Sequence, residues 1–440
     1  MGKIVANEVI NILSEHMLTD GFLQIVDLEK SHGSWLVDGR DGREYLDLFA
    51  MFATLPVGYN HPKVLEAKER IATASINKPT NSDFYSVQMA EFVDTFFEIA
   101  IPDHFRYAFF IEGGALAIEN ALKASFDWKV KKNFKKGLKR EIGSQVIHFE
   151  QCFHGRTGYT LSLTDSADLR KTAFFPKFNW PRIVNPKITF PLENDNLEKV
   201  LKTETQALAQ IKDAIHKYGD DIAALIIEPV QGEGGDNHFR QEFFQKLRDV
   251  CDENDIMLIF DEVQSGLGLT GKWWAWEHVD IKPDMMCFGK KSQVCGFVSS
   301  DRIDEIEDNV FKESNRLNST WGGSLADMVR FTVYLEIIRD EDLIEKAGET
   351  GKYLINKLYG IQSDYPDIVT NVRGLGLMCA FDLSSEELRD KLKSEILKNG
   401  TIVSGSGTCS IRFRPPLNIS SEDVDFGIET IRKSLETLHN

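Results

Sequence analysis

No apolar run in this 440-residue chain approaches the roughly 18 residues that a membrane-crossing helix needs, and the N-terminus has no basic flank followed by an apolar stretch. Cysteine is sparse as well. The six, Cys152, Cys251, Cys287, Cys295, Cys379 and Cys409, contain no Cys-x-x-Cys pair, so neither a disulfide framework nor a thiolate metal site is expected. The ten histidines form no His-Glu-x-x-His motif, and His148 and His154 read as structural residues rather than metal ligands. Basic residues are outnumbered, 51 against 68 acidic for a net charge of −17, which argues against nucleic acid or an anionic membrane as a partner. What remains is read as a soluble, cytoplasmic, globular chain, long enough for two or three domains.

The stretch that organises the rest is Leu258 to Lys291. A short apolar run, Ile256 to Phe260, stops abruptly at Asp261-Glu262, as a buried strand leaving the core does. A second run, Met285 to Phe288, ends in Gly289 and then Lys290 and Lys291. In open α/β sheets ligands bind outside the carboxyl ends of the strands. An acid and an amine at adjacent strand ends suit pyridoxal phosphate, whose aldehyde takes a lysine and whose ring nitrogen takes an anion.

Other segments fit around this pair. Tyr107 to Ile111 is strand-like, and Gly113-Gly114 opens a helical pattern from Ala115 to about Lys132, leaving backbone N–H groups and the positive end of a helix free for a phosphate. Gln145 to Phe149 is the next strand, followed by Phe153-His-Gly-Arg-Thr-Gly158. Residues 165 to 196 read as irregular, as the border of a site often is. A helix from Glu198 to Tyr218, a strand from Ala223 to Ile227 and a helix from Gln241 to Asn254 return the chain to the organising strand through a parallel, right-handed crossover. Trp35 to Asp38 and Tyr45 to Leu48, joined through Gly39-Arg-Asp-Gly42, read as a hairpin. From about Asp342 the pattern becomes that of a smaller α+β unit. Gly266-Leu-Gly-Leu-Thr-Gly271-Lys272 has the glycine spacing of a nucleotide-binding loop, but Trp273 stands where a hydroxyl is required and no strand leads into it.

Asp261-Glu-Val-Gln264 followed by Lys290, together with Glu228-Pro-Val-Gln-Gly-Glu-Gly-Gly235, resembles the class III (ω-amino) pyridoxal-phosphate aminotransferases, from about Gly21 to the C-terminus. Phe110 to Lys123 and Phe288 to Gly296 narrow the likeness to members acting on L-lysine, with ornithine and 4-aminobutyrate open as alternative amines. The resemblance implies a fold-type I transferase. Its large domain, 61–340, would hold a mostly parallel seven-stranded sheet, with 1–60 as the N-terminal segment of a small lobe and 341–440 as a C-terminal α+β domain.

It also implies roles. Lys290 carries the cofactor, although the tandem Lys291 is equally placed by spacing, and Asp261 keeps the ring nitrogen protonated. Gly114 and Ala115 hold the phosphate, and Ala115 replaces a hydroxyl residue common in the family. Phe153 stacks on the ring, Gln264 meets its hydroxyl, and Thr320 reaches the phosphate of the other subunit in a homodimer with shared active sites. For the small-molecule substrates L-lysine and 2-oxoglutarate, Arg156, Asn318 and Arg412 are the binding residues. Arg414 is two residues along the same strand as Arg412 and so shares its face. Glu233 is expected to mask Arg412 as an ion pair. No metal is implied.

Overall fold

The computed structural model describes residues 4–439. Its centre is a seven-stranded sheet in the order Phe105–Ile111, Cys295–Ser300, Met285–Phe288, Met257–Asp261, Ile222–Ile227, Gln145–Phe149, Arg182–Ile183. Only Cys295–Ser300 runs against its neighbours, so the sheet is mostly parallel, as expected. Every residue of Ile222–Ile227 and of Met257–Asp261 is buried. That explains why both read as unbroken apolar runs rather than alternating ones: helices cover the two faces of a parallel sheet. The helix Gln241–Glu253 between them buries Phe243, Phe244, Leu247 and Cys251, one stripe of its surface, and so lies back on the sheet.

Two smaller sheets flank this layer. Trp35–Val37 and Glu44–Asp47 form the expected hairpin, and Thr401–Ile402 adds to it in parallel, so both ends of the chain meet in one sheet. The other has four strands, in the order Thr370–Leu375, Met378–Asp382, Ser410–Phe413, Ser404–Ser406. The stretch from Thr401 to Ser406 therefore divides at Val403, because two different sheets claim its two halves. Leu46, Phe96, Phe260, Leu269, Leu354 and Leu417 belong to one continuous apolar cluster, so the flanking sheets and the central sheet pack as one body.

The helices Lys68–Ile76 and Val87–Ile99 were not expected from the sequence. The stretch Gly266 to Trp273 is a set of turns, and Gly266 packs so closely on Trp274 that a Cβ there would lie 2.6 Å from the indole. Its glycines serve close packing. Residues Ala50 to Ala53 form a turn of four consecutive non-glycine residues with φ between 47° and 63°, a left-handed path that each L-residue opposes. Thr54 and Leu55, which follow it, reach the site described next.

Candidate active site

Outside the carboxyl ends of Met257–Asp261 and Met285–Phe288 lies a cavity of about 690 Å³. Asp261 is the last residue of its strand, and the pleat turns its carboxylate outward into this space. One oxygen accepts the Val263 N–H at 3.0 Å and the other lies 2.7 Å from His154 Nδ1. His154 is buried. Desolvation works against its charge, but Cys152 and the Asp261 carboxylate outweigh that and hold the imidazole well above its usual range, so it stays protonated. The structural histidine of the sequence reading is thus the partner of Asp261.

Lys290 begins a short helical turn directly after Gly289, with φ at 55°. It lines the cavity with Asp261. Burial first, then the Arg412 charge, hold its amine below the usual lysine range, against the opposing pull of Asp261 and Glu228. Lys291 turns the other way: it is buried outside the cavity, and its Nζ donates to the Gln264 carbonyl at 3.4 Å. The backbone turn separates two lysines that spacing could not.

Gly113, Gly114 and Ala115 line the cavity at the start of the 22-residue helix Gly114–Lys135, with Gly113 at φ 107° and no side chain capping the helix. The loop carrying Phe153 lies directly on this start, since a Cβ on Gly155 would fall 2.4 Å from that of Ala115. Phe153 and Val263 supply apolar walls. Gln264 also lines the cavity, and its Oε1 accepts from Arg412 at 3.2 Å and from Arg414 at 3.1 Å, leaving the amide nitrogen as its remaining donor. The two arginines share a face, as the strand period requires. They differ in charge partner: Arg414 is paired with buried Asp236, whereas Arg412 has no carboxylate partner among the described residues, and the Nε of each is buried without a hydrogen bond. Burial, with Arg414 adding, lowers the Arg412 pKa to about 10.

Arg156 stands exposed at the rim of the same cavity, free of ion pairs among the described residues. Glu233 lines the cavity too, but the expected ion pair with Arg412 is not formed. Its Oε1 instead receives the Ser166 hydroxyl at 3.0 Å and the Lys171 ammonium. Asn318 and Thr320 are exposed on the segment before the helix Leu325–Asp340 and do not reach the cavity of their own chain. Sequence reasoning missed Thr54, Leu55, Gln293, Cys295 and Asp327, which also line the cavity. Gln293 fastens the Lys290 turn to the left-handed turn, through a 2.6 Å hydrogen bond to the Thr54 carbonyl. Thr54, Leu55 and Asp327 fall in no motif, whereas Gln293 and Cys295 lie within Phe288 to Gly296 and were given no role.

The aminotransferase class-III family model matches residues 19–435. The chain is 46% identical over 432 residues to an L-lysine-epsilon aminotransferase of Mycobacterium tuberculosis, covering 98% of this chain and 95% of that protein. It is 45% identical over 436 residues to an L-lysine-epsilon aminotransferase of Amycolatopsis lactamdurans, covering 98% and 96%. A human mitochondrial 4-aminobutyrate aminotransferase is 33% identical over 410 residues, covering 88% and 80%. Among solved structures, the lysine aminotransferase from M. tuberculosis in the internal aldimine form superposes with a TM-score of 0.96 at 46% identity, covering 99% of this chain and 100% of that one.

Proposed function

This chain belongs to the class-III aminotransferases, and from that membership we propose that it moves the ε-amino group of L-lysine to 2-oxoglutarate, giving 2-aminoadipate 6-semialdehyde and L-glutamate. One observation carries the reading: an acid and an amine, Asp261 and Lys290, face one cavity that has a free guanidinium at its rim and an unpartnered guanidinium nitrogen behind it.

The residues fit pyridoxal phosphate. Gly113, Gly114 and Ala115 offer backbone N–H groups to the phosphate, Phe153 and Val263 offer flat apolar walls, Gln264 offers an amide donor, and the buried His154 holds the Asp261 oxygen in place for the ring nitrogen. When bound, the cofactor supplies an aldehyde for the substrate amine and a protonated ring that withdraws electrons from the bond being broken. Lys290, its amine held below the usual lysine range by its dry surroundings, is placed to take the proton from the substrate Cε and would pass it to the carbon that was the cofactor's aldehyde carbon. Asp261 faces the place of the ring nitrogen with one carboxylate oxygen 2.7 Å from His154 Nδ1 and the other bound by the Val263 N–H.

The two substrates pose a charge problem. Lysine enters amine end first, with no carboxylate there, whereas 2-oxoglutarate brings a carboxylate to each end. Arg156 holds the remote carboxylate in both half-reactions, and Arg412 takes the near carboxylate of 2-oxoglutarate. A bare Arg412 would favour lysine bound by its α-amino acid end, and Glu233 opposes this by turning onto Arg412, a penalty against the wrong orientation. Asn318 and Thr320, turned away from their own cavity, serve that of a second copy in a homodimer. Residues 1–60 and 341–440 form the small lobe around the cofactor domain, 61–340. With a net charge of −17 and no helix of the described residues long and apolar enough to cross a membrane, the enzyme works in the cytoplasm without nucleic-acid or membrane partners.

Initial rates with 2-oxoglutarate and each of lysine, ornithine and 4-aminobutyrate test the substrate. Lysine is expected to lead in kcat/KM by about tenfold or more. A lead for either other amine would move the assignment to a sister activity, and no glutamate from any amine would remove the enzymatic reading.

A further inference from the structure

Glu233 has one carboxylate and two cations within its range. Its present partners are the Lys171 ammonium and the Ser166 hydroxyl, at 3.0 Å. Lys171 Nζ also lies 5.8 Å from the centre of the Phe153 ring, so this ion pair sits at the edge of the cavity. The other cation, Arg412, donates to Gln264 at 3.2 Å, lies 5.9 Å from the centre of the Phe49 ring and has no carboxylate partner among the described residues, and the Glu233 charge acts to raise its pKa.

The anchor is built in advance. Lys171 ends the short turn Leu169–Lys171, which Asp168 caps through the Arg170 N–H, and Ser166 Oγ also accepts the Asp168 N–H at 3.3 Å. The backbone of Glu233 is fixed as well. Its carbonyl accepts the Gly407 N–H at 2.7 Å. A Cβ on Gly232 would meet Gln264 Oε1 at 2.0 Å, and one on Gly234 would meet the Gln151 carbonyl oxygen at 1.9 Å. A change of partner by Glu233 would therefore be a rotation of its side chain about a fixed backbone.

We propose that Lys171, with Ser166, is the docking point that draws Glu233 off Arg412, and so determines how readily the cavity accepts a dicarboxylate. This rests on the reading of Glu233 as the mask of Arg412. With Glu233 docked, Arg412 is open for the near carboxylate of 2-oxoglutarate; without the dock, Glu233 falls back on the bare guanidinium and competes with the incoming acid. Lys171 belongs to a stretch that carried no expectation beyond irregular structure, and it acts through Glu233 as a positioning residue.

The test uses the cofactor-loaded enzyme and glutarate, an unreactive dicarboxylate, as the calorimetric probe, alongside steady-state kinetics. The dock is a half-exposed ion pair with one hydrogen bond. Lys171→Met is therefore expected to weaken glutarate binding and raise the KM for 2-oxoglutarate by about threefold to tenfold, with kcat within about twofold, and Lys171→Arg to restore both. In a Glu233→Ala background Lys171→Met should change nothing, because the group it acts through is gone, and the double variant should bind glutarate at least as tightly as wild type. If Lys171→Met weakens glutarate equally in both backgrounds, Lys171 grips the acid directly and the docking role is wrong. If it has no effect on the wild-type enzyme, there is no dock. If Glu233→Ala leaves the ratio of reaction at the α-amine to reaction at the ε-amine of lysine unchanged, the masking role of Glu233 fails first and the dock fails with it.

Discussion

Glu262, the neighbour of Asp261, turns from the strand end into the core. It is 1% exposed and accepts the Trp276 N–H at 2.8 Å and the Ser265 hydroxyl. Burial, which these donors only partly offset, raises its pKa from 4.5 to about 7. The folded protein therefore binds this proton more tightly than the unfolded chain. Near pH 4 both states are protonated and the group is neutral in effect. As pH rises through the window from 4.5 to about 7 the unfolded chain ionises first, so stability falls, and above that window the loss is constant. At about 1.4 kcal/mol for each pH unit, the full loss is about 3 kcal/mol. Glu262→Gln copies the protonated form: its carbonyl oxygen accepts from Trp276 and its amide donates to Ser265. Urea unfolding of the apoprotein, followed from about pH 5 to pH 8, should show the variant gaining on wild type as pH rises, from little to about 1–3 kcal/mol. A constant offset across that range would mean that Glu262 is ionised in place, and would refute the reasoning.

Asp261→Asn keeps the shape but removes the charge beside the ring nitrogen. Glutamate formation from lysine is expected to fall about 100- to 1,000-fold in kcat, while glutarate affinity, which depends on the arginines, holds. Gly155→Ala forces a Cβ to within 2.4 Å of Ala115, at a φ of 121°; absorbance titration of the apoprotein should show cofactor affinity reduced by about tenfold or more. If Thr320 serves a second copy, chains carrying Lys290→Ala and chains carrying Thr320→Ala, each short of a full site, should regain wild-type cofactor affinity at about a quarter of the sites when mixed and reassociated. No recovery would place Thr320 in its own chain's site or in none.

Much of the frame could be read from the amino-acid order because buried parallel strands leave a plain mark. Ile222–Ile227 and Met257–Asp261 are apolar throughout, so the residue that breaks the second run, Asp261, had to sit at the strand's mouth. What stayed hidden depends on contacts between distant segments. Spacing treats Lys290 and Lys291 alike, and only the turn after Gly289 sends one into the cavity and the other toward Gln264. Arg412 and Arg414 share a face, and what distinguishes them is the pairing of Arg414 with Asp236, 178 positions before it. The partner of Glu233 was misjudged for the same reason: Lys171 comes from an irregular stretch whose path no periodicity describes. His154, beside the aromatic that was singled out, was read as structural because its contact with Asp261 spans 107 positions.

In the proposed reaction Lys290 and Asp261 would grip opposite ends of one ring. Borohydride reduction of the cofactor-loaded enzyme, followed by peptide mapping, reads the amine end directly. The label is expected on Lys290 alone, and to be absent from a Lys290→Ala chain. Label on Lys291, or a protein that takes up no cofactor to reduce, would contradict it.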